Sequence, residues 1–196
     1  MTTTTPLAVL HGVDDDISAA CFSQLTATGF EVLRDQPATT TIDALVFNPG
    51  LYEDTTASTD PLPRACQLEP LVDAHRQQLI SAGGGAVVVI AARDWLGAAP
   101  RIRLAAAAGA LVAAARSLAL SMAPAGVTVN VVVPNFSGPP PANEVPTEPR
   151  RLTPHKITSV DIANAVAFFA DARSRYITGQ VFYVDGGSSL LSSLSV

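Results

Sequence analysis

Residues 103–134, RLAAAAGALVAAARSLALSMAPAGVTVNVVVP, constrain the fold more than any other stretch. Alanine and leucine, both strong helix formers, dominate the segment up to Ala123, which predicts a helix over 103–123. Pro124 and Gly126 stop it. Val127–Val133, β-branched at every position but Asn130, then reads as a strand. A long helix feeding such a strand is the repeating unit of a parallel sheet, because parallel neighbours need a crossover connection.

The rest of the chain repeats that unit. Pro6–Gly12 is a short apolar run ending in Gly, which suits a buried parallel strand. Asp14, Asp15 and Asp16 precede Ile17, Ala20, Cys21 and Leu25, a helical spacing with acids at the favoured end, closed by Gly29. Phe30–Leu33 and Ile42–Phe47 are further strands, the second ending in Asn48-Pro49-Gly50. Leu51–Pro63 reads as an exposed loop, and a single helix is expected from about Arg64 to Ser81, stopped by Gly83-Gly84-Gly85. Ala86–Ile90 is a strand, Asn135–Pro154 a proline-rich loop or lid, Ser159–Ala170 a helix capped by Thr158 or Ser159, and Gln180–Val184 the last strand. The expectation is one α/β domain over 1–196: a doubly wound parallel sheet of about six strands.

Composition narrows the partners. The formal net charge is −5, and Lys156 is the one lysine, so no basic cluster offers itself to nucleic acid or an anionic membrane. Cys21 and Cys66 lack metal-ligand spacing and read as free thiols in helices. No charged-then-apolar leader opens the chain, and the apolar run Leu104–Ala115 is shorter than the roughly 20 residues that span a bilayer. A cytoplasmic location is expected.

Two tracts carry a family resemblance: ARSLALSMAPAGVTVNVVVP at 115–134, and DIANAVAFFADARSRYITGQVFYVDGG at 161–187. With Asn48-Pro49-Gly50, which looks like a degenerate Asn-Asn-Ala-Gly, they resemble the short-chain dehydrogenase/reductase family. The resemblance implies a Rossmann-like fold. It also implies a Thr-Gly-x-x-x-Gly-x-Gly turn for the pyrophosphate of NAD(P), a catalytic Tyr-x-x-x-Lys pair, a Ser and an Asn.

This chain departs from each. The turn reads His11-Gly12-Val13-Asp14-Asp15-Asp16-Ile17-Ser18: Gly12 survives, while Asp16 and Ser18 stand at the other glycine positions. Carboxylates there oppose a pyrophosphate, although helix capping also accounts for the acidic run. Tyr and Lys are replaced by Leu104 and Ala108, Ser falls at Ala91 or Ala92, and Asn falls near Arg64. None of these can serve as a tuned acid–base pair. Only Gln36–Thr41 links the second and third strands where the family has a further helix and strand, so one edge strand and helix, with part of the adenine pocket, should be missing. Asp35 and Asn48 remain as weak cofactor-side candidates, Asp35 toward a ribose hydroxyl or simply toward solvent.

Substitute chemistry has candidates but no motif spacing: Arg93, Asp94 and Trp95 after a strand, Tyr52 and Glu53 after the Asn-Pro-Gly turn, and His75 and His155. No metal constellation is evident. The reading is a non-catalytic short-chain dehydrogenase/reductase-like subunit, with no cofactor, assembling with an active dehydrogenase/reductase partner or with itself. The family's oligomer faces fall at about 64–82, 103–123 and 159–187, through Tyr183. The alternatives are a diverged NAD(P)-dependent oxidoreductase with substitute residues, or a ligand sensor using the emptied cleft.

Overall fold

The computed structural model describes residues 5–35, 41–51, 60–98, 101–135 and 152–192. Six strands form one all-parallel sheet: β1 (Leu7–Gly12), β2 (Glu31–Arg34), β3 (Ala44–Asn48), β4 (Ala86–Ile90), β5 (Thr128–Pro134) and β6 (Val181–Val184). Their order is β2-β1-β3-β4-β5-β6. The chain steps outward from β1 to β2 and returns across β1 to β3, so the winding reverses between β1 and β3. Ligands of such sheets bind in the crevice beyond the strand ends at that reversal. No strand lies outside β2 among the described residues, as the short 36–41 connection requires.

Alternation along the strands builds two cores. Leu7, Val9, Leu45, Phe47, Val87, Val89, Val129 and Val131 face one helical layer. Ala8, Leu10, Ala44, Val46, Val88, Ile90 and Val132 face the other. The second layer holds α1 (Asp16–Ala27) and α6 (Ser159–Ala170), which pack on each other. Helix α1 buries Ile17, Cys21 and Leu25 at i, i+4 and i+8. Burial pushes the Cys21 thiol up to about 12, helped by Asp15, so it stays protonated. Cys66 is exposed.

The first layer holds α2 (Pro61–Ala65), α3 (Leu68–Ala74), α4 (Arg76–Ser81) and α5 (Ile102–Met122). The continuous helix expected over 64–81 is broken twice, and it starts earlier, inside the expected loop. Pro70 cannot donate back to Cys66, which separates α2 from α3. At the second break the His75 ring takes the Leu71 carbonyl through Nδ1, while the His75 backbone N–H turns to Val72 instead. Side-chain competition for a helix carbonyl is a known way to interrupt one. Leu51, expected in the exposed loop, is fully buried.

Helix α5 is long and apolar enough, by length and composition alone, to cross a membrane. One face of it is core: Leu104, Ala107, Ala108, Leu111, Val112, Ala115, Leu118 and Ala119 are buried. Asn130 explains the β5–β6 junction. Buried at 1% exposure, it donates from Nδ2 to Ile177 O at 2.7 Å and accepts from Gln180 N at 3.1 Å. Thr178 Oγ1 accepts from Val129 N at 3.0 Å. A short helix not expected from sequence, α7 (Ser188–Ser192), follows β6. Tyr52, Glu53 and most of the proline-rich segment, 136–151, lie outside the described residues.

Candidate functional site

The crevice at the β1/β3 reversal is built from the turn after β1, the end of β3 and the start of α1. Gly12 pairs with Asn48 across the strands. Its φ is +125°, and a Cβ there would lie 1.9 Å from Asn48 O. Only glycine permits this approach. Val13 N donates to Asn48 O at 2.9 Å and locks the turn against β3.

The N-terminus of α1 aims its free N–H groups into this crevice, where an anion would be favoured. A carboxylate of the chain itself takes the place. Asp15 is the N-cap, and its Oδ1 accepts from Ser18 N at 2.8 Å. Ser18 is buried, and its hydroxyl donates to Val13 O at 2.7 Å while accepting from Asn48 Nδ2 at 2.8 Å. Asn48 Nδ2 also reaches Asp15 Oδ1 at 3.2 Å, and Asn48 Oδ1 accepts from Gly50 N at 3.1 Å. The result is a connected polar network of Asp15, Ser18 and Asn48. Asp16, expected to be the acid in the crevice, is exposed in the first turn of α1, and Asp15 does that work because its extended backbone sits one residue earlier. Asp14 pairs with Arg34 at 2.8 Å on the surface.

Asp35, at the end of β2, has φ +47° and faces back across the sheet. Its Oδ1 accepts from Gly12 N at 3.1 Å and lies 2.8 Å from His11 Nδ1. The acid left as a ribose candidate is thus held by the β1 turn.

At the β4 end the expected catalytic positions are hydrocarbon. Ala91 and Ala108 are fully buried and Leu104 is 4% exposed, all in the first core. A 3₁₀ turn, Arg93–Leu96, follows β4. Within it Asp94 is 8% exposed and lies 2.9 Å from Arg101 Nε. Burial pushes its carboxyl above the usual range, and Arg101 offsets part of that. Trp95 stacks on Tyr183 with centroids 6.5 Å apart. Burial raises the Tyr183 hydroxyl. Tyr183 therefore packs against the first core, and Phe182, at 46% exposure, is the outward residue of β6. Arg93 Nη2 reaches Ser188 O at 3.4 Å. His155 is exposed.

Arg64, the residue near the family's Asn position, stands on α2 with Nη1 3.4 Å from Gly50 O. Its Nε and Nη2 are buried with no hydrogen-bond partner. Sequence reading passed over this side chain; a charged residue inside an apolar helix beside the Asn-Pro-Gly turn was the available signal.

Comparison with known proteins agrees with this architecture. A family model described as enoyl-(acyl carrier protein) reductase matches residues 71–189. Among curated proteins, the subunit BbsD of (2S)-[(R)-hydroxy(phenyl)methyl]succinyl-CoA dehydrogenase from Thauera aromatica is 39% identical over 114 residues, covering 55% of this chain and 46% of that protein. The BbsC subunit of the same dehydrogenase is 40% identical over 121 residues, covering 59% and 47%. The chain thus spans about half the length of these relatives. A short-chain dehydrogenase/reductase from Serratia marcescens superposes with a TM-score of 0.70 at 21% identity, over 94% of this chain and 97% of that one, a likeness of fold.

Proposed function

We propose, from the premise that this chain belongs to the short-chain dehydrogenase/reductase family, that it is a non-catalytic subunit assembling with an active dehydrogenase/reductase or with a second copy of itself. The observation that carries the reading is Leu104 and Ala108 packed into the core where the family's proton-moving pair stands. Hydride transfer to a carbonyl needs a proton donor within reach of the forming alkoxide, and no side chain at these positions holds a titratable proton.

The residues of the β1 turn do not fit a dinucleotide. The pyrophosphate would have to displace the Asp15 carboxylate from the α1 N-terminus and break the Ser18–Asn48 hydrogen bond. Gly12 N, a further backbone donor, is spent on Asp35. The turn is thus read as closed to NAD(P).

The subunit role has its own support. Ile102, Ala106, Ala110, Ala113 and Leu120 are exposed along one face of α5, with Ile102 at 75% and Leu120 at 81%. Phe168 and Phe182 are exposed together on α6 and β6, at 50% and 46%. Apolar strips of this kind mark association surfaces. Two of the curated relatives are themselves named as subunits of one dehydrogenase. In light scattering the chain, alone or mixed with an active dehydrogenase/reductase from its own host, is expected to run as a dimer or larger. Ala113→Glu, which sets a charge in the strip, should split that assembly. A wild-type chain that stays monomeric in both settings overturns the subunit role.

A second reading, a ligand-binding cleft, has one observation in its favour: the two unpartnered buried donors of Arg64 beside Gly50. A guanidinium left this way suits a carboxylate or phosphate. Stabilisation of the chain by succinate or inorganic phosphate, lost in Arg64→Gln, would favour it, and no thermal shift from either would remove it.

A further inference from the structure

His11 lies in β1 with its ring on the α2–α5 side of the sheet, and His75 sits at the break between α3 and α4 against it. The two ring centroids are 6.0 Å apart, with planes inclined at 69°. Each ring has its Nδ1 committed. His11 Nδ1 lies 2.8 Å from Asp35 Oδ1, and His75 Nδ1 lies 2.9 Å from Leu71 O. A carboxylate and a carbonyl only accept, so both Nδ1 atoms carry a proton. In the neutral rings, both Nε2 atoms then hold a lone pair. His75 Nε2 is buried and has no hydrogen-bond partner. The whole residue is 5% exposed.

We propose that His11 and His75 form a two-histidine site for a borderline transition-metal ion, of the Zn²⁺, Co²⁺ or Ni²⁺ class, with solvent completing the coordination. Imidazole nitrogen is the preferred donor for such ions. An Nδ1–H held by a carboxylate or a backbone carbonyl, with Nε2 left open, is the arrangement that orients metal-ligating histidines. The spacing is near that for one shared ion. With metal–nitrogen bonds of about 2.0–2.1 Å and roughly 1.1 Å from Nε2 to the centroid, ligating rings stand about 5.2 Å apart at a tetrahedral angle and about 6.4 Å apart when collinear. The observed 6.0 Å is wider than the tetrahedral spacing, so a tetrahedral ion would draw the two rings closer together.

The surroundings allow entry. The His11 side chain is 30% exposed, and among the described residues no strand lies beyond β2 at the Asp35 end. Among the described residues no group of three or more His, Cys, Asp and Glu is gathered for a metal, so the site is an open pair rather than a closed cage. It does not depend on whether the chain catalyses or assembles.

The test is a ZnCl₂ titration of the chelator-treated full chain, read by long-range ¹⁵N–¹H correlation of the imidazoles. Nε2 of His11 and of His75 should shift together and saturate at about one ion per chain, while exposed His155 stays in place. By calorimetry, His11→Gln and His75→Gln should each weaken zinc binding about tenfold or more, and Asp35→Asn, which touches only the supporting contact, by roughly tenfold. If His75→Gln does not fold, the imidazole spectra of the unaltered chain decide alone. Shifts confined to His155, no shift at any histidine, or a His11–His75 pair that exchanges a proton but ignores zinc would each overturn the site.

Discussion

The β1–α1 turn and the β5–β6 junction are both held by buried polar side chains, and they contrast in what those side chains do. At the junction, Asn130 and Thr178 tie backbone to backbone, bridging Val129, Ile177 and Gln180. Those bonds serve the fold, whatever the crevice holds. At the turn, Asp15, Ser18 and Asn48 satisfy one another around a helix N-terminus that faces the ligand crevice. The family model matches from residue 71 onward, which includes the junction and leaves out the turn. Buried polar groups have to be paired wherever they lie. The junction meets that demand with backbone, and the turn meets it in large part with its own side chains.

The contrast can be pressed by substitution, beginning where the effect is greatest. Ala108→Lys would bury an unpaired ammonium at a fully buried core position, and should cost about 4 kcal/mol or more in urea unfolding. Combined with Leu104→Tyr, it should yield no dehydrogenase activity with either nicotinamide cofactor, because positioning of both reactants is absent. Activity in that double variant would show that the turn still receives a cofactor. Gly12→Ala should follow at about 3 kcal/mol, since the left-handed φ and the 1.9 Å approach to Asn48 O both have to relax.

Ser18→Ala removes the hydroxyl that bridges Asn48 Nδ2 and Val13 O, with an expected loss of about 1–3 kcal/mol. A neutral result would mean that the crevice admits water or ligand.

The smallest effect lies in the retained half. Thr158 and Asp161 form a capping box at the start of α6, and hydrogen bonds from Thr158 hold the Asp161 carboxyl below its usual range. Asp161→Ala should cost about 1 kcal/mol at neutral pH. A depressed carboxyl stabilises above its unfolded value near 3.9 and loses that contribution as pH falls through the folded one. The difference between variant and wild type should therefore shrink only in acid, and equilibrium unfolding across that range checks it.

Strand positions are legible because β-branched runs such as Ala86–Ile90 leave no other regular option, and the start of α6 because Thr158 or Ser159 can cap it with Asp161 in the first turn. The short 36–41 connection was enough to foretell a sheet ending at β2. The break at His75 was not legible, since it comes from a ring competing for the Leu71 carbonyl, a choice made in three dimensions. Nor was the exchange of roles between Asp15 and Asp16, which turns on one residue of helix onset. The His11–His75 contact joins residues far apart in sequence that only the sheet brings together.

The central claim is that the α1 N-terminus is occupied by Asp15 and its network instead of a dinucleotide. Calorimetric titration of the isolated chain with NADH and with NADPH tests it most directly. The expected result is no saturable heat with either. Micromolar binding of either one, weakened by Gly12→Ala, with the dinucleotide lying along the Gly12 turn in a crystal of the complex, would contradict it.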